Sequence, residues 1–252
     1  MSRIDEIAAE ARARGVKPWL AVKERLAEGV IAVLAKDERA VLQGGGALHF
    51  AYGSPRLSAD VDFVGESVHD ALAACGDEIA SRAGELAGAP ARWSMRTDGR
   101  LVRGKVTIEI DAARRIVLPV EAFEVPARQP VALRGGGRVE QAQEIAADKI
   151  VASADRLARR GALKTRDLYD LWFIKTRLGL DAPARDLVSA KAGDYGQPPR
   201  GADLAAAARA VTAEEMRASL EGVLPKADAE AIDPAGLVEA AAEWLGRYSD
   251  AL

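Results

Sequence analysis

Residues 41–66, VLQGGGALHFAYGSPRLSADVDFVGE, constrain the fold more than any other part of the chain. The preceding run RAVLQ is short and apolar and ends at three glycines, which is typical of a buried strand followed by a tight turn. ALHFAY suits one or two turns of helix, and ADVDFVG suits a second strand. This order places backbone N–H groups beside the acids of the second strand, an arrangement suited to a triphosphate and a metal ion.

The acids of the second strand are Asp60 and Asp62. Residues two apart on a strand project to the same face, so the two carboxylates are expected to lie close together. Like charges at that separation are unfavourable unless a cation lies between them, and a divalent metal ion is the usual solution. For an isolated Asp-x-Asp, two solvent-facing acids on an edge strand are an equally good interpretation, and the neighbouring glycine turn favours the metal.

A third carboxylate is expected where two metal ions assist phosphoryl or nucleotidyl transfer. The segment KVTIEID at 105–111 alternates, with apolar residues on one side and Glu109 and Asp111 on the other. Either acid suits this role. An ordinary half-exposed strand explains the segment equally well when it is considered alone.

The rest of the first half predicts further elements. Apolar residues at helical spacing indicate helices over 3–14, 17–37 and 68–87. Asp98 and Gly99 lie between two extended runs, which indicates a hairpin.

The character of the sequence changes near residue 139, beyond which the apolar spacing is helical to the end of the chain. The run RGGGR before it suggests a flexible link. We therefore predict an α+β fold: a domain at 1–138 with a mixed sheet, flanking helices and N-terminal helices, then an all-helical domain at 139–252.

Several classes of protein are disfavoured. GGGALH has His49 where a dinucleotide-binding fingerprint needs its third glycine, and the chain has no Gly-Lys-Ser or Gly-Lys-Thr of a P-loop. DVDFVG lacks the hydroxyl residues expected after a phosphatase nucleophile. The net charge of -3 excludes a globally basic nucleic-acid coat, although RTDGRLVRGK and RLARRGALKTR are local basic clusters. The single cysteine, Cys75, and the lack of a long apolar stretch predict a soluble cytoplasmic protein.

Three stretches together resemble a known family. QGGGALHFAYGSPRLSADVDF is similar to the first motif of the AbiEii/AbiGii toxin-like nucleotidyltransferases of the polymerase-β-type superfamily, in which a Gly-Gly-Thr/Ser turn precedes Arg-x-Ser-x-Asp-[Ile/Val]-Asp. EIAADKIVASADRLARRGALKTRDLYDLWFI resembles the helical motif of that family. The matching pieces cover about residues 39–64, 103–111 and 143–174.

The resemblance implies a role for each matching residue. In the first motif, Gly44 and Gly45 would shape a phosphate-binding turn that includes Gly46, Arg56 and Ser58 would orient the loop, and Asp60 and Asp62 would bind Mg²⁺. Glu109 is the first choice for the third catalytic and metal-binding carboxylate, and Asp111 is the reserve. In the helical motif, Lys149 would reach the triphosphate, and Arg166, Asp167 and Asp170 would form a helical wall of the nucleotide site. Without the resemblance, an ordinary solvated or ion-paired helix face is the better explanation of Lys149, Arg166 and Asp170, by about three to one.

One residue departs from the family pattern. Gly46 lies where the family has Thr or Ser, whose hydroxyl contacts a phosphate. A hydrogen bond worth about 1–2 kcal/mol would therefore be missing.

The resemblance also implies an activity. It implies a magnesium-dependent nucleotidyltransferase that moves a nucleoside monophosphate from an NTP to an acceptor such as RNA or tRNA. It further implies the toxin of a toxin–antitoxin or phage-defence system with a cognate antitoxin protein. The alternative is a non-catalytic nucleotide-binding or partner-binding protein on the same fold. A metal-dependent phosphohydrolase, which would release phosphate and not pyrophosphate, ranks last.

Overall fold

The computed structural model describes residues 2–111, 114–133, 135–196 and 203–248. The chain divides into two compact units. The first is Met1–Glu140 with Gly222–Lys226, and the second is Gln141–Glu221 with Ala227–Leu252. A mixed α/β part followed by helices confirms the predicted α+β class. The return of Gly222–Lys226 to the first unit has no counterpart in the sequence pattern.

The first unit consists of a sheet and five helices among its described residues. Their bounds are α1 Arg3–Ala13, α2 Pro18–Leu34, β1 Val41–Gln43, α3 Gly44–Phe50, β2 Val61–Val64, α4 Val68–Ala74, α5 Gly76–Ala87, β3 Ala91–Asp98, β4 Leu101–Glu109, β5 Arg115–Phe123, β6 Pro130–Ala132 and β7 Arg138–Glu140. Pro18 occupies the first turn of α2, where its missing N–H costs no hydrogen bond.

The seven strands form one sheet in the order β3-β4-β5-β2-β1-β7-β6. The strand β2 lies between β1, to which it is antiparallel, and β5, to which it is parallel. The predicted hairpin is confirmed, because Asp98 of β3 pairs with Leu101 of β4. The predicted alternation of β4 is also confirmed, since Val102, Val106 and Ile108 are fully buried.

Two local predictions were wrong. The helix predicted over 68–87 is divided into α4 and α5, and a side chain at Gly76 would place its Cβ only 2.6 Å from Trp93. The glycine run predicted as a flexible link is the turn between β6 and β7, where the Leu133 amide donates to the Gly137 carbonyl at 2.9 Å. The second of these strands, β7, pairs in parallel with β1, so the sheet extends past the predicted boundary at 138.

The second unit is helical throughout its described residues. Its elements are α6 Ala142–Arg160, α7 Thr165–Trp172, a π-helical turn at Phe173–Arg177, α8 Arg185–Asp194, α9 Leu204–Arg209, α10 Ala213–Leu220, α11 Lys226–Glu230, whose first residue belongs to the first unit, and α12 Pro234–Gly246. Lys191 of α8 is fully buried and pairs with Glu144 of α6 at 2.7 Å, so this charged group is matched inside the unit. Within the described ranges, no helix combines the length and apolarity that a membrane crossing requires.

Candidate functional site

The first two glycines of the GGG run are required by their surroundings. Gly44 follows β1 with a φ of +70°, and a Cβ there would lie 2.8 Å from Asp62 Oδ2. A Cβ at Gly45 would lie 2.3 Å from a guanidinium nitrogen of Arg56, which is itself buried. The chain therefore passes too close to Asp62 and Arg56 for side chains at these positions.

Gly46 differs from Gly44 and Gly45. Its φ lies outside the left-handed region, and the nearest atom to an added Cβ is the carbonyl oxygen of Asp60 at 3.8 Å. This is an ordinary van der Waals distance. The space at Gly46 therefore accommodates a Cβ, the first atom of the Ser or Thr that the resemblance leads us to expect.

The two aspartates lie at the start of β2. Asp62 is on the strand and half-buried, whereas Asp60 lies in a bend just before it, so the prediction that both residues are on the strand was half right. The hydroxyl of Ser58 donates to Asp60 Oδ1 at 2.7 Å. Ser58 therefore orients one of the two carboxylates, in keeping with the orienting role that the resemblance implies for it.

A cation from another element faces the same loop. Lys23 of α2 donates from Nζ to the carbonyl oxygen of Ala59 at 3.1 Å, directly before Asp60. Burial lowers the pKa of Lys23, and the negative charge of Asp60 opposes that effect. The Lys23 ammonium lies 5.3 Å from the ring centroid of Trp19, one turn earlier on α2. Lys23 lies outside the sequence motifs, so it could not be identified from the sequence.

The structure does not bring the predicted third carboxylate to the two aspartates. Glu109 is exposed at the far end of β4, where it pairs with Arg92. Asp111, two residues after the end of β4, pairs with Arg114 at 2.6 Å. The register places Glu109 six residues along β4 from the strand position level with Asp62, about 20 Å at the rise of a strand.

Glu121 of β5 is the acid that the register places beside Asp62. The two are direct partners on the parallel strands β2 and β5, and adjacent strands lie about 4.8 Å apart. The Glu121 side chain is half-exposed and lies 3.8 Å from the Arg103 guanidinium of β4. Sequence reasoning missed this residue because strand pairing decides it, although RIVLPVEAF has the composition of a strand.

An open groove continues from Glu121 across the polar face of β3, β4 and β5. Its volume is about 430 Å³. It is lined by the basic side chains Arg96, Arg103 and Lys105, and by Ser94, Met95, Gly104, Val117, Pro119 and Glu121. Three of the four cations of the cluster RTDGRLVRGK therefore share one surface.

The second unit brings together most of the residues predicted from the helical motif. Lys149 Nζ of α6 lies 2.8 Å from Asp167 and 2.9 Å from Asp170, both buried on α7. Arg156 pairs with the other oxygen of Asp167 at 2.8 Å. Arg166 is half-buried on α7, and sequence reasoning missed that Arg156 supplies the guanidinium on Asp167.

These pairs set the charge state of Asp167. Burial alone would raise the pKa of its carboxyl, but the charge of Lys149, with those of Lys164 and Arg156, more than offsets this and holds the pKa well below its usual value. Two cations and two carboxylates make the cluster of Lys149, Arg156, Asp167 and Asp170 neutral overall. The ordinary interpretation of these residues as an ion-pair network is thus realised, and it also holds the Lys149 ammonium in a fixed place.

No group of three or more His, Cys, Asp or Glu side chains within the described residues is arranged to hold a metal ion by itself. Mg²⁺ is commonly bound by one or two carboxylates while the substrate phosphates and water complete its shell. Asp60 and Asp62 fit this donor set, and the glycine turn, free of side chains, adjoins Asp62. The residues present therefore suit a magnesium ion that arrives with a nucleotide.

Comparisons with known proteins show what the chain is similar to. The family model described as "Nucleotidyl transferase AbiEii toxin, Type IV TA system" matches residues 25–244. MenT4, a nucleotidyltransferase toxin from Mycobacterium tuberculosis H37Rv, is similar in structure with a TM-score of 0.60 and 20% identity, over 100% of this chain and 94% of that one. JHP933 from Helicobacter pylori is similar with a TM-score of 0.55 and 19% identity, over 93% and 95% of the two chains. No curated protein matches the sequence.

Proposed function

Since the chain belongs to the AbiEii family of nucleotidyl transferase toxins, we propose that it transfers a nucleoside monophosphate from an NTP to an acceptor in a magnesium-dependent reaction. The observation that carries the proposal is the close approach of the glycine turn to Asp62, with Asp60 held beside it by Ser58. A turn without side chains leaves space for the phosphates of a nucleotide. The two carboxylates beside it supply the negative charge that binds the accompanying metal ion.

In the proposed reaction, an acceptor hydroxyl attacks the α-phosphorus of the NTP. A new oxygen–phosphorus bond forms, the bond between the α-phosphorus and its bridging oxygen breaks, and pyrophosphate leaves. Asp60 and Asp62 would hold Mg²⁺, which supplies charge neutralisation for the phosphates. Glu121, beside Asp62 in the sheet, would accept the proton of the attacking hydroxyl, and it replaces Glu109 in our assignment.

The residues of the helical motif form a second part of the proposal. Lys149 remains a predicted triphosphate-binding residue, and two carboxylates of its own unit hold its ammonium in place. Asp167 and Asp170 would act by positioning Lys149. Arg166 and Arg56 remain predicted nucleotide-site residues, and burial of Arg56 against Gly45 supports an orienting role for it.

RNA is the acceptor that we propose. The support is the groove beside Glu121, which is lined by Arg96, Arg103 and Lys105. Cations on one face suit a phosphate backbone, and binding to them weakens as salt rises. We further propose that the toxin is counteracted by a cognate antitoxin protein, as the description of its family as part of a toxin–antitoxin system suggests.

The test is a transfer assay with Mg²⁺, each α-labelled NTP in turn and total RNA. We expect label in RNA, equimolar release of pyrophosphate and loss of both with Asp60→Asn. Asp77→Asn, which removes an exposed acid of α5, is the matched control and should retain activity. NTP binding without pyrophosphate release would favour the non-catalytic alternative, and release of phosphate in its place would favour a phosphohydrolase. In cells, Asp60→Asn should also relieve growth inhibition.

A further inference from the structure

Lys23 and Trp19 on α2 form a pair next to the loop that carries Asp60. Trp19 is the exposed large apolar side chain of the described residues, with 46% of its surface accessible. Its ring covers the Lys23 ammonium at 5.3 Å, an arrangement in which the ring face attracts the cation. Both residues precede the segment 25–244 that matches the family model. The pair is therefore a feature of this chain outside the matched motifs.

Lys23 differs from other interior lysines of this chain in the group that accepts its hydrogen bond. Lys191 and Lys149 each have a carboxylate oxygen within 2.8 Å. Among the described residues, the hydrogen-bond acceptor of Lys23 is the neutral carbonyl of Ala59. An ammonium has three donors, so two of them can be directed to a ligand.

The position of this ammonium suits a phosphate. Asp60 follows Ala59 directly, and its carboxylate is the ligand that we propose for the magnesium ion of the bound nucleotide. A triphosphate brings more negative charge than one magnesium ion neutralises, and a cation beside the loop that carries the metal ligand offsets part of the remainder. The helix α2 also fixes the backbone of Lys23, because Leu20, Val22 and Leu26 around it are buried.

We propose that Lys23 is a substrate-binding residue that donates to a phosphate of the nucleotide held at Asp60 and Asp62, and that Trp19 keeps the ammonium in position for this contact. The inference rests on the proposed nucleotidyl transfer and adds a nucleotide contact from α2. Trp19 acts through Lys23 and is a positioning residue.

The experiment measures the affinity for the NTP that the wild-type protein prefers, supplied as its non-hydrolysable α,β-methylene analogue with Mg²⁺, by calorimetry on the full chain. We expect Lys23→Met to bind the analogue at least about tenfold more weakly, since a charge-assisted hydrogen bond is lost. Lys23→Arg should remain within about threefold of the wild type. Trp19→Leu should lose about two- to fivefold, the range of an exposed cation–π contact. Arg25→Met, which breaks an exposed ion pair with Glu28 on the same helix, should bind as the wild type does.

A titration with Mg²⁺ alone separates the proposal from a purely electrostatic role. If Lys23 only neutralises Asp60, Lys23→Met will bind Mg²⁺ more tightly and the analogue as well as the wild type does, and this result overturns the inference. Circular dichroism and melting temperature check that each variant is folded, and Lys23→Gln replaces Lys23→Met if the latter is not. Wild-type protein that binds the analogue but transfers nothing refutes the proposed reaction and leaves the Lys23 contact testable. Wild-type protein that does not bind any NTP analogue refutes both.

Discussion

Replacement of Gly46 by serine should strengthen nucleotide binding. The family pattern has a hydroxyl residue at this position, and the structure shows no steric reason for its absence, because the nearest atom to an added Cβ is 3.8 Å away. The backbone there does not require glycine either, since φ is not in the left-handed region. We therefore expect a serine to enter the turn without displacing Asp60 or the start of β2.

The expected gain follows from one hydrogen bond. A hydroxyl that donates to a phosphate contributes about 1–2 kcal/mol, which corresponds to about 5- to 30-fold in the dissociation constant. The Cβ itself has a separate effect, since alanine in place of glycine stabilises a helix by up to about 1 kcal/mol. Gly46→Ala isolates that contribution because it adds the Cβ without the hydroxyl.

The assay compares Gly46→Ser, Gly46→Ala and the wild type by calorimetric titration with NTP and by the rate of pyrophosphate release. Melting temperatures without nucleotide should rise slightly and equally in both variants. Affinity should rise in Gly46→Ser alone. Gly45→Ala is the opposite control, because its Cβ would meet the buried Arg56 guanidinium at 2.3 Å and the melting temperature should fall.

Two results would refute this reasoning. Equal affinity of Gly46→Ser and Gly46→Ala would show that the hydroxyl does not reach a phosphate, and position 46 would then not contact the nucleotide. A fall in melting temperature for Gly46→Ala as large as for Gly45→Ala would show that the space at Gly46 is not available.

Three further predictions concern other parts of the chain. Glu121→Gln should lower the transfer rate by about 100-fold or more, whereas Glu109→Gln, which removes an exposed partner of Arg92, should change it less than threefold; equal effects would contradict the strand register. Asp167→Asn should lower the free energy of unfolding at pH 7 by about 3 kcal/mol, because it breaks a buried pair. The pKa of Asp167 is depressed in the folded state, so the ionised carboxylate stabilises the fold fully above the unfolded pKa of about 3.9, and this stabilisation is lost as the pH falls further. The difference in melting temperature between the wild type and Asp167→Asn should therefore shrink below about pH 4. A difference that stays constant with pH would argue against the ion pair. Lys105→Ala should weaken RNA binding at low salt and reduce its salt dependence by about one unit of slope, and a steeper salt dependence would remove the groove from the proposal.

Local sequence patterns were sufficient for most of the fold. The period of the apolar residues predicts α2, and the alternation at 105–111 predicts β4, because each pattern depends on neighbours a few residues away. The close approach of Trp93 of β3 to Gly76, at the start of α5, could not be predicted from the local pattern at 68–87, because the two residues belong to different elements. A glycine run likewise allows both a linker and a hairpin turn, and the pairing of β7 with β1 decides between them.

The residues of the candidate site also divide into those that a local sequence pattern predicts and those that it does not. Asp60, Asp62 and the glycines are close in sequence, so the motif alone brings them together. Glu121 is nearly 60 residues from Asp62, and only the register of β5 against β2 makes them neighbours. The choice of Glu109 failed because alternation shows which face of a strand a residue occupies but not how far along the sheet it lies.

The glycine at position 46 is therefore expected to change the affinity for the nucleotide and not the fold of the site. Gly44 and Gly45 are fixed by Asp62 and Arg56, and neither contact depends on the residue at position 46. In the proposed site, a missing hydroxyl would leave the carboxylates, the turn and the neighbouring strands unchanged, so it would remove one contact to the substrate without moving the others. Substrate binding that is weaker by one hydrogen bond raises the NTP concentration required and leaves the reacting groups in place. The Lys23 ammonium of α2, which donates to the carbonyl of Ala59 directly before Asp60, would restore part of the lost binding in this chain.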